Sequence, residues 1–282
     1  MKVNMKNLIY IIVIMACVIA VLPLHAQDTT AQSPSMVDTT SLKGVAIPSE
    51  ENSVTKAQAD SAYAKGDYAS AIELYESILA NQGESAAIYY NLGNSYYKNK
   101  DIAHSILNYE RAYLLSPGDS DIRFNLEMAR NNTVDKIDSI NQLFLMSWIT
   151  SLRNSFSADG WAGGAIISFI IFLLALSLYI FGKQLVLKKL GLLFAGLCLI
   201  ITIVANIFAS QQKSLLINRQ TAIIMSPSVT AKSTPDAGGT DLFILHEGHK
   251  ILVKDATMKD WCEIQLEDGS IGWIPRDVIE II

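Results

Sequence analysis

Apolar and polar positions divide this chain into blocks of different period, and two blocks have no polar period at all. Gly160–Gly182 and Leu190–Gln212 each run for 23 residues without a charged side chain. A helix of about 20 apolar residues crosses a ~30 Å hydrocarbon core, so both stretches are expected to be transmembrane helices. Between them lies KQLVLKK, with Lys183, Lys188 and Lys189, too short for a domain. Short lysine-rich loops stay in the cytoplasm, so 160–182 and 190–212 are expected to form a hairpin around a cytoplasmic loop at 183–189. Whatever precedes Gly160 and follows Gln212 then shares the opposite side. The two segments hold no acid, base or histidine; Ser168, Ser177, Thr202 and Asn206 are polar positions inside them. Intramembrane ionisable groups mark ion and proton paths, and with none here the expected role is anchoring and assembly.

Upstream, Lys2 and Lys6 precede an apolar run, Leu8–Leu24, and a small residue at Ala26. That layout reads as a signal peptide over 1–26, with an uncleaved anchor as the alternative. Residues 27–51 are rich in Thr, Ser, Gln and Ala and lack apolar periodicity, so a disordered tether is expected.

From Asn52 the period becomes helical and the chain repeats itself. YAKGDYASAIELYESIL, from Tyr63, aligns with YKNKDIAHSILNYERAY, from Tyr97, at an offset of 34 residues. Asp67 matches Asp101, Ala71 matches Ser105, and Tyr75 matches Tyr109. Paired helices at that period are the signature of the tetratricopeptide repeat. The second copy also carries Leu92-Gly93, Tyr96, Ala112 and Pro117. A third start, IRFNLEMAR from Ile122, is expected to be a capping helix begun by Ser120 or Asp121. The repeats with this cap are assigned to 52–135.

Residues 136–159 include Leu143, Trp148, Ile149, Leu152 and Phe156 with few charges. An interfacial helix is expected, with packing against the repeats as the alternative.

After Gln212 the period falls to two. Ala222–Met225, Phe243–Leu245, Lys250–Ala256, Trp261–Leu266 and Ile271–Pro275 are short runs broken by Gly, Pro and Asp. Asp268-Gly269 is a hairpin signal, and the spacing predicts a small all-β barrel over 213–282. Trp261, the strand after it, Asp268-Gly269 and Gly272-Trp273-Ile274 resemble the ending of bacterial SH3-like (SH3b) domains. Val229–Asp236 is less typical of that family. The expected fold class is therefore a multidomain membrane protein: tetratricopeptide helices, a transmembrane α-hairpin and a small SH3-like barrel.

Composition narrows the function. The formal charge is −5, and acids outnumber bases on both sides of the hairpin, which leaves no basic footprint for nucleic acid. Cys17 and Cys198 lie in apolar segments and Cys262 alone in a soluble part, so no disulfide framework is expected. In His246-Glu247-Gly248-His249 the glycine is expected to make a turn with both histidines in solvent, and no metal or cofactor is expected. Cys262 sits in a strand beside Trp261 and reads as a buried thiol rather than a nucleophile. No residue set supports an enzyme. In tetratricopeptide repeats the first helix of each pair lines a concave groove. On this chain that face carries Tyr63, Tyr90, Asn94, Tyr97 and Lys98 as candidate peptide contacts, with Met128 further along. Trp261 and Trp273 are candidate contacts of the SH3-like part, with core packing as their first expected role.

The order of signal, tether, repeats, two membrane helices and SH3b tail resembles the BatE family of the Bacteroides aerotolerance operon. Asn125–Asp138 and Ser157–Ala162 look like that family's junctions. The resemblance implies an inner-membrane, periplasm-facing accessory protein acting beside von Willebrand-type Bat proteins and a MoxR-type ATPase, with a link to oxygen or stress tolerance. It carries no catalytic residues. The alternative role is an envelope sensor or peptidoglycan-binding protein acting through the SH3b tail.

Overall fold

Asp67 and Asp101, 34 residues apart, start equivalent helices by accepting backbone N–H bonds from Ser70 and His104 at 3.2 and 3.1 Å. The period read in the sequence is thus a period of caps as well as of core residues. The computed structural model describes residues 54–135 and 144–282. The signal-peptide and tether readings, and residues 136–143 of the juxtamembrane segment, lie outside the described residues.

Five helices come first: α1 (Lys56–Ala64), α2 (Tyr68–Gln82), α3 (Ala86–Lys98), α4 (Ile102–Leu115) and α5 (Ser120–Arg130). α1 pairs with α2 and α3 with α4. Ala71 and Ser105 are fully buried where helices approach closely, and the Ser105 hydroxyl donates to the Gly93 carbonyl at 2.9 Å. The rings of Tyr75 and Tyr109 fill the space beside them, each almost wholly buried. The cap of α5 is Asp119, one residue before Ser120. Its carboxylate accepts from the N–H groups of Asp121 and Ile122 at 2.9 and 3.3 Å. Asp119 wins because its backbone is extended, as a cap requires, whereas Ser120 is already helical.

α6 (Phe144–Arg153) leads into two long apolar helices, α7 (Ala158–Phe181) and α8 (Leu185–Ile217). Both are long and apolar enough to cross a membrane. They pack along a seam of small residues, with Ala165, Ser168 and Ala175 facing Gly191, Ala195 and Cys198. The connection is shorter than 183–189, because α8 begins at Leu185 and takes Lys188 and Lys189 into its first turns. Leu185, Val186 and Leu187 are good helix formers or apolar, and nothing there breaks a helix. With 33 residues α8 is about 50 Å long, so its last turns extend past a bilayer-deep span.

Seven strands follow: β1 (Thr221–Ile224), β2 (Ser228–Lys232), β3 (Asp241–His246), β4 (Lys250–Asp255), β5 (Trp261–Gln265), β6 (Ile271–Pro275) and β7 (Ile279–Ile281). They form one antiparallel sheet in the order β3-β2-β6-β5-β4-β1-β7. Ala222, Ile224, Ala231, Leu245, Ile251, Cys262, Ile264 and Ile274 make its core. The ladder is open, with β3 and β7 as its edges, so it does not close the small barrel expected from the sequence. β2 and β6 are in register at Lys232 and Trp273, and a bulge between Ala231 and Lys232 marks where the sheet bends. The Asp268-Gly269 hairpin joins β5 to β6, closed by the Leu266 N–H on the Ser270 carbonyl at 2.9 Å.

The sheet is packed onto the repeats. Ile223 and Ile282 enter the cluster of Ile106, Leu107, Tyr109, Leu126 and Ala129. Stacked repeats must cover their last apolar face, and here α5 and the sheet share that task.

Candidate functional site

The first helix of each pair presents polar side chains at a shared position. Asp60 on α1 and Asn94 on α3 are 34 residues apart, as are Asn91 on α3 and Asn125 on α5. Each pair makes the same bonds. The Tyr75 hydroxyl donates to Asp60 Oδ1 at 2.6 Å, and the Tyr109 hydroxyl to Asn94 Oδ1 at 2.6 Å. Asn91 Nδ2 reaches Asp60 Oδ1 at 3.4 Å, and Asn125 Nδ2 reaches Asn94 Oδ1 at 3.0 Å. A recess of about 230 Å³ opens beside these groups, lined by Lys56, Asp60, Tyr63, Tyr75, Asn91 and Asn94.

Electrostatics keep this surface in one protonation state. Burial alone would raise the Asp60 carboxyl, but the bonds from Lys56 and Tyr75 outweigh it and hold it below the usual range. Burial, then Asp60, pushes the Tyr75 phenol up. Burial also raises Tyr63, with Tyr68 and Tyr90 adding to it. Two donors on one oxygen fix the Asn94 amide, and its NH2 makes no hydrogen bond among the described residues. A fixed amide donor beside tyrosine faces suits the carbonyls and side chains of an extended peptide.

Of the residues expected in the groove, Tyr63 and Asn94 line the recess. Tyr90 is half-buried with its ring 6.0 Å from that of Tyr109, and its hydroxyl accepts from Asn125. Tyr97 is also half-buried, packs against the cluster under the sheet, and accepts from Asn132 at 3.3 Å. Lys98 is exposed in the last turn of α3 and makes no ion pair among the described residues. Met128 is half-buried, and its carbonyl accepts from Asn132. Sequence reasoning missed Lys56, Asp60, Asn91 and Asn125. The signal was present, since IYYNL at Ile88 and IRFNL at Ile122 repeat at the same 34-residue offset.

Trp261 and Trp273 are not core residues. Cys262, Ile264 and Ile274 point into the core, so the alternation of a strand puts both tryptophans on the other face, half-exposed. Trp261 lies opposite Pro275, and Trp273 opposite Glu263 and Lys232. Cys262 is fully buried, and burial pushes its thiol up to about 11.

The histidines at 246 and 249 depart from the solvent position expected of them. Gly248 makes the turn, with φ of +82°. His246 Nδ1 and N–H then contact Asp135 at 2.7 and 2.8 Å, and His249 Nδ1 lies 3.5 Å from the same carboxylate. They join the sheet to the turn segment that follows α5. Among the described residues no three His, Cys, Asp or Glu side chains are grouped to hold a metal.

No curated protein matches this chain. A tetratricopeptide repeat family model matches residues 56–120, which is α1 through α4 with the turn into α5, and that match supports the tetratricopeptide reading of the helical pairs.

Proposed function

We propose that the chain is a membrane-anchored scaffold or adaptor whose repeat groove takes an extended segment of a partner protein. The observation that carries this is the fixed Asn94 amide beside Tyr63, in a recess whose polar groups recur at the repeat period. Tetratricopeptide repeats serve protein–protein interaction, and the proposed role is binding without catalysis. The hairpin of α7 and α8 is read as the anchor. Repeats and sheet sit on either side of it in sequence yet pack together, which supports one shared face. The BatE resemblance adds the finer reading: an inner-membrane protein with both modules in the periplasm, and von Willebrand-type Bat proteins with a MoxR-type ATPase as partners in aerotolerance or stress. Affinity purification of the full chain from membranes tests the groove. Asn91→Ala with Asn94→Ala is expected to lose the partners that wild type recovers, and unchanged recovery refutes the reading. A reporter at Leu187 active outside the cytoplasm would overturn the orientation.

A second reading is favoured by the two tryptophans on the outer face of the sheet. In it the tail is an SH3b module that holds peptidoglycan, and the protein is an envelope sensor. The detergent-solubilised chain would pellet with murein sacculi and Trp273→Ala would not. Equal pelleting of both would remove this reading.

A further inference from the structure

Helix α6 has two unlike sides, and among the described residues protein covers neither. Trp148, Ile149 and Leu152 share one side at helical spacing and Phe156 follows, while Thr150 and Ser151 lie on the other. Trp148 is 59% exposed, Met146 58% and Phe156 55%. α6 has no acidic residue, and Arg153 is its one basic residue.

Its far end is held where the hairpin ends. The Trp161 indole N–H donates to the Arg153 carbonyl at 2.8 Å, and the Gln212 amide to the same oxygen at 3.1 Å. Phe156, Trp161 and Phe208 form a run of edge-on rings at 5.3 and 5.0 Å. Ser157 caps α7 by accepting from the Gly160 N–H at 3.2 Å, so the chain turns within a few residues of α6. The apolar side of α6 is therefore continuous with the exposed apolar surface of α7 and α8, which begins at Ile166 and Ile167. The other contact of this end is with the repeats. The Asn154 amide donates to the Tyr113 hydroxyl at 3.0 Å, and Gly118 packs directly on the Ser155 carbonyl.

We propose that α6 lies in the headgroup layer of the bilayer, its tryptophan side toward the acyl chains, and holds the repeat module against the membrane surface. This rests on reading α7 and α8 as membrane spans. The occupant is a lipid surface because the uncovered side adjoins the lipid-facing sides of both spans. An amphipathic helix with Trp at the boundary and Ser and Thr outward is built for that layer. Through Tyr113 and Gly118, α6 then sets how the repeats stand over the membrane.

The test places one spin label at a time on the full chain in lipid nanodiscs, with native cysteines replaced by alanine. The sites are Trp148→Cys, Thr150→Cys, and Leu174→Cys on α7, and each is read for contact with oxygen and with a water-soluble nickel chelate. The expected result is a lipid signature at 148 shallower than that at 174, with 150 nearer to water. A water signature at 148 with a lipid signature at 174 overturns the proposal and leaves the hairpin in the membrane. A label at 148 shielded from both reagents means a protein surface covers α6, and also overturns it. A water signature at 174 removes the membrane reading itself.

Discussion

Lys250 Nζ lies 2.8 Å from Glu110 Oε2 across 140 residues of chain. Glu110 is 2% exposed and is bonded by Arg130 on its other oxygen. One cation comes from the sheet and one from α5, so the carboxylate on α4 is satisfied only when sheet and repeats are joined. Around it Arg111 bonds Glu280 at 2.9 Å and the Ile281 carbonyl at 2.7 Å, and Arg219 pairs with Glu84. Lys250→Met should cost about 2 kcal/mol, because a buried charge loses one of two partners and keeps Arg130. Glu110→Gln added to it should restore most of the loss. Thermal unfolding of the solubilised chain measures both, and a neutral single variant would show that the pair does not hold the modules together.

The same joint should weaken in acid in two stages. Burial lowers His249, which favours its neutral form in the folded chain. Its contribution is complete above the usual imidazole range and is lost as pH falls from about 6.5. Asp135, in the turn segment after α5, and His246, on β3, face it, and Glu267 and Asp268 act from further off. For Glu110, burial would raise the carboxyl, but Lys250 and Arg130 prevail and hold it below the usual glutamate range. Its contribution is present above that range and is lost as pH falls through the lower folded value. His104, raised by its bond to Asp101, has the opposite sign, since its contribution is lost as pH rises through the raised value. The His249 stage is therefore read as a difference. Between about pH 7 and pH 5 the midpoint of wild type should fall more than that of His249→Gln, and parallel curves would refute the assignment.

Gly248 sits in this joint and is held there for two reasons. Its φ is +82°, and a Cβ would lie 2.8 Å from Thr133 Cγ2 and 3.0 Å from Ile106 Cδ1. Gly269 has nearly the same backbone, φ +89°, with open space around it. Alanine at 269 should cost about 1 kcal/mol, for the backbone alone. Alanine at 248 should cost about 1 kcal/mol more, for the displaced neighbours. Equal losses would mean that the turn does not press on the repeats.

What was legible in the sequence follows from how far each cause reaches along the chain. The repeats could be read because Asp67, Ala71 and Tyr75 act within a few turns and recur at a fixed offset. The apolar helices could be read because an uncharged run needs no partner to be recognised. The Glu110–Lys250 contact could not, since one glutamate and one lysine 140 residues apart carry no local pattern. Asp135 and His246, 111 apart, hid the histidines in the same way. The tryptophans were different. The parity of Trp261 against Cys262 and Ile264 is in the sequence, and it puts the tryptophan on the face opposite the core.

Lys100 occupies the position where the first repeat has Gly66. Its φ is +67° against +81° for Gly66, although Lys carries a Cβ. The turn into α4 demands that backbone, and the exposed lysine pays about 1 kcal/mol for it. Lys100→Gly should raise stability by about 0.5 kcal/mol, because relief of that strain exceeds the added freedom of the unfolded chain. Gly66→Lys should do the reverse. The thermal midpoints of the two variants should move in opposite directions, and a shared direction would mean that the turns are not equivalent.

Close packing of the hairpin rests on Gly191. A Cβ there would lie 3.1 Å from the Ala175 carbonyl oxygen and 3.2 Å from the Tyr179 nitrogen. Both are backbone atoms of a helix, which no rotamer change can move aside. About two turns along the same seam, the Ser168 hydroxyl donates to the Cys198 carbonyl at 3.0 Å, a bond that needs the helices to stay close. On the proposed membrane reading the helices gain little from hiding apolar surface, so contact distance and such bonds carry the association. Gly191→Leu should therefore part α7 from α8 at a cost of about 1–3 kcal/mol. Gly196 has open space where a side chain would go, so Gly196→Leu adds the same bulk without touching the seam. The SDS fraction needed to unfold the chain from mixed micelles should drop for the first variant and hold for the second. If both drop alike, added bulk rather than the seam is responsible, and the close approach of α7 and α8 contributes nothing to holding the pair together.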